Sequence, residues 1–411
     1  MIGPVRDIAA LGLHRSIPLQ VIYGSSMLMI MGASLVYPVL PVVAEALAIG
    51  EGRIGLVLTA FSLPAVFLAP LGGFLIDRRG RKQVLVACLL MYGLAGGGIV
   101  LVDSLGWLLA MRFVQGVAYA GIMPLVVVLI GDTFSREQET TAQGVKVMLD
   151  RGTLLFLPAL AGGLAALAWQ APFAIYALAV PLGLAAARWL PEPAIQRRTH
   201  APLYVREVFV ASFRLRSLAV FSMSSLRFFL ETAFFIYVPL FALDRLGVEV
   251  AKGGLLFSAF AVGSIVTAGT VGTLARRFDR FSIVIAAFVA QGACLSLAAV
   301  APSIWVLGVS MLVFGLANGI ISPAQKSLMT QSVDGPLRGG FVAADRTIQA
   351  VAKSIAPIFA GAVVVVAGIA ALFQVLAAMS FAWAAGMLVL HLAGRFRTSP
   401  ARIPQRAEAD G

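Results

Sequence analysis

An all-α membrane protein with twelve transmembrane helices is the fold class that this 411-residue sequence predicts, on three observations. Apolar residues make up 60% of the chain and charged residues only 12%, whereas soluble domains carry about 25% charged residues. The apolar residues lie in long continuous blocks, and a helix needs about 20 of them to cross a bilayer. Backbone groups inside a bilayer must be satisfied within the segment itself, which favours helices.

Twelve apolar blocks have the length of a span, and they fall into two sets of six around a polar stretch at 191–216. This pattern predicts six-helix bundles within 1–190 and 217–395, a cytoplasmic linker over 191–216, and a disordered cytoplasmic tail over 396–411. The predicted spans 1 to 12 are, in order, 19–44, 54–76, 83–102, 105–131, 142–168, 171–190, 217–243, 252–275, 282–302, 303–329, 340–367 and 369–394.

The two sets of spans share features in register. Pro158 in span 5 corresponds to Pro357 in span 11, and Cys88 and Cys294 fall in spans 3 and 9. Parallel repeats about an axis along the membrane normal are a known plan of transporters. The two bundles are therefore predicted to be related by a pseudo-two-fold axis.

Basic residues divide the connections between spans into two kinds. They are concentrated at both termini and after spans 2, 4, 6, 8 and 10, whereas the other connections carry few. Positive residues stay on the cytoplasmic side, so both termini are predicted to be cytoplasmic, in an inner (plasma) membrane. The net charge of +12 then has membrane lipid as its partner rather than nucleic acid. The cysteines and histidines show no metal-ligand spacing, so no metal or other cofactor is expected.

The connection between spans 2 and 3 carries the most specific pattern, Gly73-x-x-x-Asp77-Arg78-x-Gly80-Arg81-Lys82. Gly80 permits a tight turn, and a carboxylate at a helix end can accept hydrogen bonds from the N-terminus of a neighbouring helix. A plain positive-inside loop explains the basic residues but not Asp77 or the two glycines. The pattern resembles the signature loop of the major facilitator superfamily.

This resemblance implies several expectations about the loop and the fold. Asp77 would face the start of span 11 near 338–340, and Arg81 would pair with Asp132 at the end of span 4. The loop would act as a conformational latch, whereas the second copy carries Arg276 in place of the aspartate and would not. Spans 1, 4, 7 and 10 would line a central cavity, and spans 3, 6, 9 and 12 would face lipid.

Span 4 contains the pattern Arg112-x-x-Gln115-Gly116, which resembles a motif of the proton-coupled members of this family. There the arginine is thought to bias the protonation of a nearby carboxylate. The alternative is that Arg112 lies near the interface and extends to lipid headgroups. Span 1 contains Tyr37-Pro38-Val39-Leu40-Pro41, which resembles a motif of the drug:proton antiporter-like branch of the family. In span 5, however, Leu157 occupies the position at which that branch has glycine. This departure leaves export by antiport open.

Charged residues inside spans are costly and usually have a partner or a function. Arg227 and Glu231, at spacing i, i+4 in span 7, are predicted to pair with each other. Asp150 and Arg151 point about 100° apart and should find different partners. Glu231 and Asp150 are the candidates for proton coupling, with Arg227 and Arg112 as the charges that bias them.

A second group of residues is predicted to line a substrate cavity, with packing or lipid contact as the alternative for the aromatic members. The candidates are Tyr23, Tyr37, Gln115, Arg151, Tyr237 and Lys353.

The leading functional prediction is a monomeric secondary active transporter that exports small amphipathic molecules, with protons as the coupling ion. The alternative is a proton symporter or facilitator for a polar or anionic metabolite, which the basic residues inside the spans would suit. The sequence has no Gly-x-x-x-x-Gly-Lys-Ser/Thr loop for ATP and no catalytic constellation, so neither an ATP-driven pump nor an enzyme is predicted.

Overall fold

The structure is a computed structural model that describes residues 16–133, 136–192, 213, 215–268, 270, 274, 277–331 and 338–393. Within these ranges it leaves out the side chains of 69–79, 133, 136–138, 140, 216, 250–251, 330–331 and 338–339. Residues 193–212 and 214 of the predicted linker 191–216 and the whole predicted tail lie outside the described residues. The division of the chain at 191–216 therefore stays a prediction.

Helices account for the regular structure of the described residues, with no strand among them. Span 1 is Ile17–Ser34 and Leu40–Ala46, joined through a 3-10 turn at Tyr37–Val39. The turn contains Pro38, and Pro41 lies in the first turn of the helix that follows, where the amide hydrogen that proline lacks is not needed. The other helices are Glu51–Ile54 and Leu56–Arg79 (span 2), Arg81–Gly98 (span 3), Leu105–Thr133 (span 4), Arg136–Ala165 (span 5), Ala179–Trp189 after a 3-10 helix Ala171–Leu178 (span 6), Leu215–Leu246 (span 7), Val250–Ala268 (span 8), Arg280–Ala299 (span 9), Ile304–Gln331 (span 10) and Arg338–Leu392 (spans 11 and 12).

The number of spans is consistent with the predicted twelve. Ten helices among the described residues are long and apolar enough to cross a membrane, and Lys252–Ala268 is a shorter apolar helix. The longest helix, Arg338–Leu392, is interrupted at Gly368, whose φ of 83° and ψ of 170° are not helical. That glycine separates spans 11 and 12 at the predicted position, since positive φ is accessible to glycine at little cost.

Close backbone contacts hold the same pairs of spans together in each half. A methyl group on Gly116 would overlap the carbonyl of Phe61, so spans 4 and 2 pack backbone to backbone. Gly315 lies in the same way on the carbonyl of Phe260, which joins spans 10 and 8. Small residues permit such approaches between membrane helices. The repeated arrangement agrees with the predicted pseudo-two-fold relation.

Candidate functional site

The two halves of the molecule meet near the connections 47–50 and 247–249, at what we call the outer end. Span 2 crosses span 11 there, and the hydroxyl of Thr59 donates to the carbonyl of Ser354 at 3.2 Å. Ser62 and Ser354 share a hydroxyl–hydroxyl bond of 3.0 Å. The crossing is close because Gly55 lies against Pro357, where a methyl group would come within 2.8 Å of the proline ring.

Span 5 crosses span 8 in the corresponding way. Gly254 lies against Pro158, and a methyl group there would come within 2.5 Å of the Pro158 carbonyl oxygen. The hydroxyl of Ser258 donates to the carbonyl of Leu155 at 2.8 Å. Span 5 carries a buried leucine, Leu157, where the resembling motif has glycine. The glycine for the close approach is supplied by span 8 instead.

Aromatic side chains add to the contact at the outer end. The ring of Tyr37 lies edge-on to Phe235 with centroids 5.4 Å apart and stacks on Phe257 at 6.1 Å. The hydroxyl of Tyr237 donates to the carbonyl of Glu51 at 2.9 Å. Two of the predicted cavity residues, Tyr37 and Tyr237, thus join the halves in this conformation, and their role in substrate binding stays a prediction.

Arg227 and Glu231 do not form the direct pair that their spacing predicts. Both side chains reach across to Asn318 in span 10 instead. The guanidinium of Arg227 donates to the Asn318 amide oxygen at 3.0 Å, and the Asn318 amide nitrogen donates to the Glu231 carboxylate at 2.7 Å. The prediction was wrong because one amide offers an acceptor to the arginine and a donor to the carboxylate. Asn318 was missed, although a lone asparagine in an apolar span was a visible signal.

A second basic side chain lies on the same aromatic ring as Arg227. The Arg227 guanidinium lies 4.1 Å from the centroid of the Phe228 ring, and the Lys353 ammonium lies 4.4 Å from it. Cation–π contacts stabilise a desolvated cation by about 2 kcal/mol. The ring therefore holds two cations of spans 7 and 11 together without a carboxylate between them.

Asp150 and Arg151 have different partners, as predicted. The Asp150 carboxylate accepts from the Ser26 hydroxyl at 2.6 Å and from the Lys146 ammonium at 2.7 Å. The Arg151 guanidinium donates to the Ser264 hydroxyl of span 8 at 3.1 Å. Asp150 is thereby tied to span 1, whereas Arg151 faces the second half.

Arg112 is completely buried inside the first half, so the alternative in which it extends to lipid headgroups is wrong. Its guanidinium donates to Gln115 at 2.6 Å and to the carbonyl of Gly32 at 2.7 Å, and lies 4.3 Å from the Phe61 ring. No carboxylate among the described residues pairs with it. Gly32 and Ser26 are six residues apart, about 9 Å along span 1. Arg112 and Asp150 therefore occupy different levels of that helix, and the predicted biasing effect stays a prediction.

Two further predicted cavity residues have internal partners. The hydroxyl of Tyr23 donates to the carbonyl of Ala142 in span 5 at 3.0 Å. Gln115 is fully buried with Arg112. Of the six candidates, Arg151 and Lys353 are the two whose charged groups lack a carboxylate partner in the described structure. Their part in substrate binding, like that of the other four, stays a prediction.

Asp345 is a buried carboxylate that binds amides rather than a cation. It accepts from Gln349 at 2.6 Å and from Gln325 of span 10 at 3.4 Å. Gln349 also donates to the Ser224 hydroxyl of span 7 at 3.3 Å. Asp345 is only 4% exposed, so it is not a solvated charge at a helix end.

The loop after span 2 has part of the predicted geometry. Arg81 and Asp132 form the predicted ion pair. Gly80 has a φ of 90° and a ψ of 145°, so the predicted tight turn requires glycine. The sequence did not reveal Glu192, whose carboxylate accepts from the backbone amides of Arg81 at 2.7 Å and Lys82 at 3.3 Å. Such an acceptor stabilises the start of span 3.

The remaining residues of the predicted latch lie outside the described side chains. They are Gly73, Asp77 and Arg78, together with the contrasting Arg276 of the second copy. The role of this loop as a latch therefore stays a prediction.

Gly80→Ala is expected to destabilise the protein by about 1–3 kcal/mol, because the backbone at this position suits only glycine. The added methyl group would also come within 2.8 Å of the Glu192 carboxylate. Thermal unfolding of the purified protein measures the effect. Gly106→Ala is the matched control, since a methyl group there meets open space within a helix. Equal melting temperatures for the two variants would contradict the assignment.

Basic groups outnumber acidic groups between the two halves. Over residues 142–168, 217–243, 303–329 and 340–367, which are the predicted bounds of spans 5, 7, 10 and 11, there are six basic residues and three carboxylates, an excess of three positive charges. The basic residues are Lys146, Arg151, Arg227, Lys326, Arg346 and Lys353, which we call the central basic cluster, and the acidic residues are Asp150, Glu231 and Asp345. Among these carboxylates, only Asp150 is within salt-bridge distance of a described basic nitrogen. Arg227 and Lys326 each lie in electrostatic range of both Arg151 and Arg346.

Comparison with known families identifies the architecture. Two overlapping parts of the chain, residues 22–333 and 220–410, match the family model described as Major Facilitator Superfamily. The chain belongs to the major facilitator superfamily. It is a multi-pass membrane transporter and not an enzyme, which confirms the class predicted from its sequence. The predicted family and the all-helical fold class are confirmed as well.

Relatives named as efflux proteins agree with the predicted branch of the superfamily. The chain is 32% identical to the bacillibactin exporter of Bacillus subtilis (strain 168) over 176 residues, which is 41% of this chain and 41% of the relative. It is 24% identical to the multi-drug resistance efflux pump PmrA of Streptococcus pneumoniae over 317 residues, 72% of this chain and 77% of the relative. The match to the bacillibactin exporter thus spans less than half of either chain.

Solved structures of transporters share the fold. The nucleoside transporter NupG superposes with a TM-score of 0.78 at 16% identity, over 91% of this chain and 100% of that chain. A bacterial homologue of the human lysosomal transporter Spinster, in an inward-facing and unoccupied conformation, gives a TM-score of 0.70 at 16% identity, over 93% and 98% of the two chains. At this identity the likeness concerns the fold alone.

Proposed function

We propose that this superfamily member exports small amphipathic molecules by alternating access and is driven by the proton gradient. It works as a monomer in the inner membrane with both termini in the cytoplasm. In this proposal the contacts at the outer end close the central cavity to the outside. The names of the relatives, an efflux pump and an exporter, support the outward direction.

The observation that carries the proton coupling is the position of Glu231. Its carboxylate accepts a hydrogen bond from the neutral amide of Asn318 and has no direct arginine partner in the described structure. A direct ion pair would hold the carboxylate in its charged form, whereas an amide donor restrains it less. Arg227 lies in electrostatic range of Glu231, so a change of conformation that separates the two side chains would let Glu231 take up a proton, and their return would release it. Asp150, which is paired with Lys146, is the second candidate.

The test is transport into proteoliposomes with an imposed pH gradient and a panel of cationic, neutral and anionic amphipathic dyes. We expect at least one dye to move against its gradient when the pH gradient is present. The movement should stop when a protonophore collapses that gradient. Uptake that is unaffected by the protonophore would contradict proton coupling.

A second candidate function is a transporter for an anionic metabolite, and the central basic cluster favours it. Apart from Lys146, the cations of this cluster form no salt bridge with a described carboxylate. Such cations would bind a negatively charged group strongly, because the surroundings have a low dielectric constant. A potassium diffusion potential imposed with valinomycin separates the candidates. Net transport of an anion should follow the sign of that potential even without a pH gradient. Exchange of a neutral molecule for a proton would respond to both gradients.

A further inference from the structure

A groove of about 430 Å³ lies at the surface between spans 9 and 10, away from the contact between the two halves. Its lining is almost entirely apolar. The lining residues of spans 9 and 10 include Ile283, Ala287, Ala290, Leu316, Ala317 and Ile320. A volume of this size equals that of roughly fourteen waters, yet an apolar cavity does not hold water well. A hydrocarbon chain suits this lining.

The groove follows from the sizes of the side chains on the neighbouring helices. Gly315 and Gly319 draw one face of span 10 against the backbone of span 8. The Thr267 hydroxyl of span 8 donates to the carbonyl of Leu316 at 2.7 Å and secures that contact. Span 9 faces the other side of span 10 with alanines at 287 and 290, which are too short to fill the space.

Positive charge stands at one end of the groove. Arg280 begins span 9, and Ile283 and Ala287 follow it at spacings of three and seven, so the three residues share one helix face. Arg277 precedes Phe278, an apolar residue of the lining that is 62% exposed. Arg277 lies in the connection after span 8 and Arg280 at the start of span 9, on the side predicted to be cytoplasmic.

The other polar groups at this end leave the arginines available. The Asp279 carboxylate accepts from the backbone amides of Phe281 at 2.9 Å and Ser282 at 3.3 Å, and it lies 3.8 Å from the imidazole of His391. The Ser282 hydroxyl, which lines the groove, is 3.4 Å from the same imidazole. In the described structure neither Arg277 nor Arg280 has a carboxylate within salt-bridge distance.

We propose that this groove binds an acyl chain of an anionic phospholipid, whose phosphate is held by Arg277 and Arg280. Basic pockets between transmembrane helices on the cytoplasmic side are suited to anionic headgroups. The apolar channel accepts the chain, and the arginines select the charge of the headgroup. The bound lipid would pack against span 10. Ala317 of the lining is followed in that span by Asn318, the residue that binds Arg227 and Glu231.

The test is native mass spectrometry of the full chain, purified in detergent with equal amounts of phosphatidylglycerol and phosphatidylcholine of identical acyl chains. We expect the wild-type protein to retain phosphatidylglycerol several-fold over phosphatidylcholine. The double variant Arg277→Glu/Arg280→Glu should lose that preference. Arg53→Glu/Arg245→Glu is the control, because it changes the net charge equally at exposed sites of the outer end and should keep the preference.

Filling the groove tests the site of the acyl chain. Ala290→Phe should reduce the retention of both lipids. Ala290→Leu adds a smaller side chain and should also reduce retention, so it serves as the test if Ala290→Phe does not fold. Val289→Phe is the control, since Val289 is 44% exposed on the same helix and does not line the groove. Unchanged retention in both Ala290 variants, or equal loss of preference in the two charge-reversed proteins, would overturn the proposal.

Discussion

Glu231→Gln is expected to abolish transport against a gradient while the fold and downhill exchange survive. Glutamine has nearly the same size and can still hydrogen-bond to Asn318, but its amide does not gain or lose a charge by protonation at neutral pH. A pH gradient of one unit is worth about 1.4 kcal/mol, so one proton per substrate supports about a tenfold substrate gradient. We expect the variant to reach no gradient at all.

The measurement is the steady-state distribution of a transported dye across proteoliposomes with an imposed pH gradient, together with downhill exchange in the same vesicles. Glu249→Gln is the matched control, because Glu249 is an exposed residue whose ion pair with Lys252 is also exposed. It should behave like the wild type. Asp150→Asn is the second variant to examine, since Asp150 is the other candidate carrier and binds Ser26 of span 1 in the first half.

One outcome would remove the proton-coupling proposal. If Glu231→Gln and Asp150→Asn both accumulate the dye at the wild-type rate, the two favoured carriers are excluded. Facilitated diffusion or sodium coupling would then describe the transporter better. The second candidate function, transport of an anion that binds the central basic cluster, would then be tested with the imposed membrane potential.

Gly254→Val is expected to prevent closure of the outer end and to stop transport. Gly254 lies against the backbone of Pro158, so added carbon atoms cannot be accommodated without separating spans 5 and 8. Overpacking of this kind costs about 1–3 kcal/mol, which shifts a two-state equilibrium by about 5- to 150-fold toward the form that is open at this end. Gly55→Val should act alike at the crossing of spans 2 and 11, because Gly55 meets Pro357 in the same way.

Gly253→Val is the matched control, because a side-chain carbon on the neighbouring glycine meets nothing within 4 Å. The measurement is labelling of Tyr37→Cys by a membrane-impermeant maleimide, in a protein whose Cys88 and Cys294 have been replaced. Labelling should be fast with Gly254→Val and slow with Gly253→Val. Equal labelling rates would show that this crossing does not close the outer end.

Much of the architecture was predicted from local features of the sequence. The interruption at Gly368, the glycine turn at Gly80 and the pair of Arg81 with Asp132 were all predicted in place. Each depends on hydropathy, on a backbone conformation that one residue type favours, or on a motif that resembles the family. Such properties depend on residues that are close together in the sequence, so they can be predicted without knowing how the helices pack.

The hydrogen-bond partners of the polar side chains were not predicted from the sequence. The spacing of Arg227 and Glu231 predicted a pair, but the structure inserts Asn318 from 87 residues further along the chain. Glu192 was not recognised as the acceptor for the start of span 3 for the same reason. A spacing of four residues brings two side chains near each other, and it does not exclude a better partner from another helix.

The sequence by itself determined that this protein crosses the membrane many times and belongs to a family of two-fold repeated transporters, because hydropathy and short motifs are properties of single segments. Only the tertiary structure decided which helices touch at the outer end, that Gly254 of span 8 replaces the glycine missing beside Pro158, and that an amide separates Arg227 from Glu231. Those outcomes depend on how far one backbone approaches another, and that distance is set jointly by side chains from distant parts of the chain.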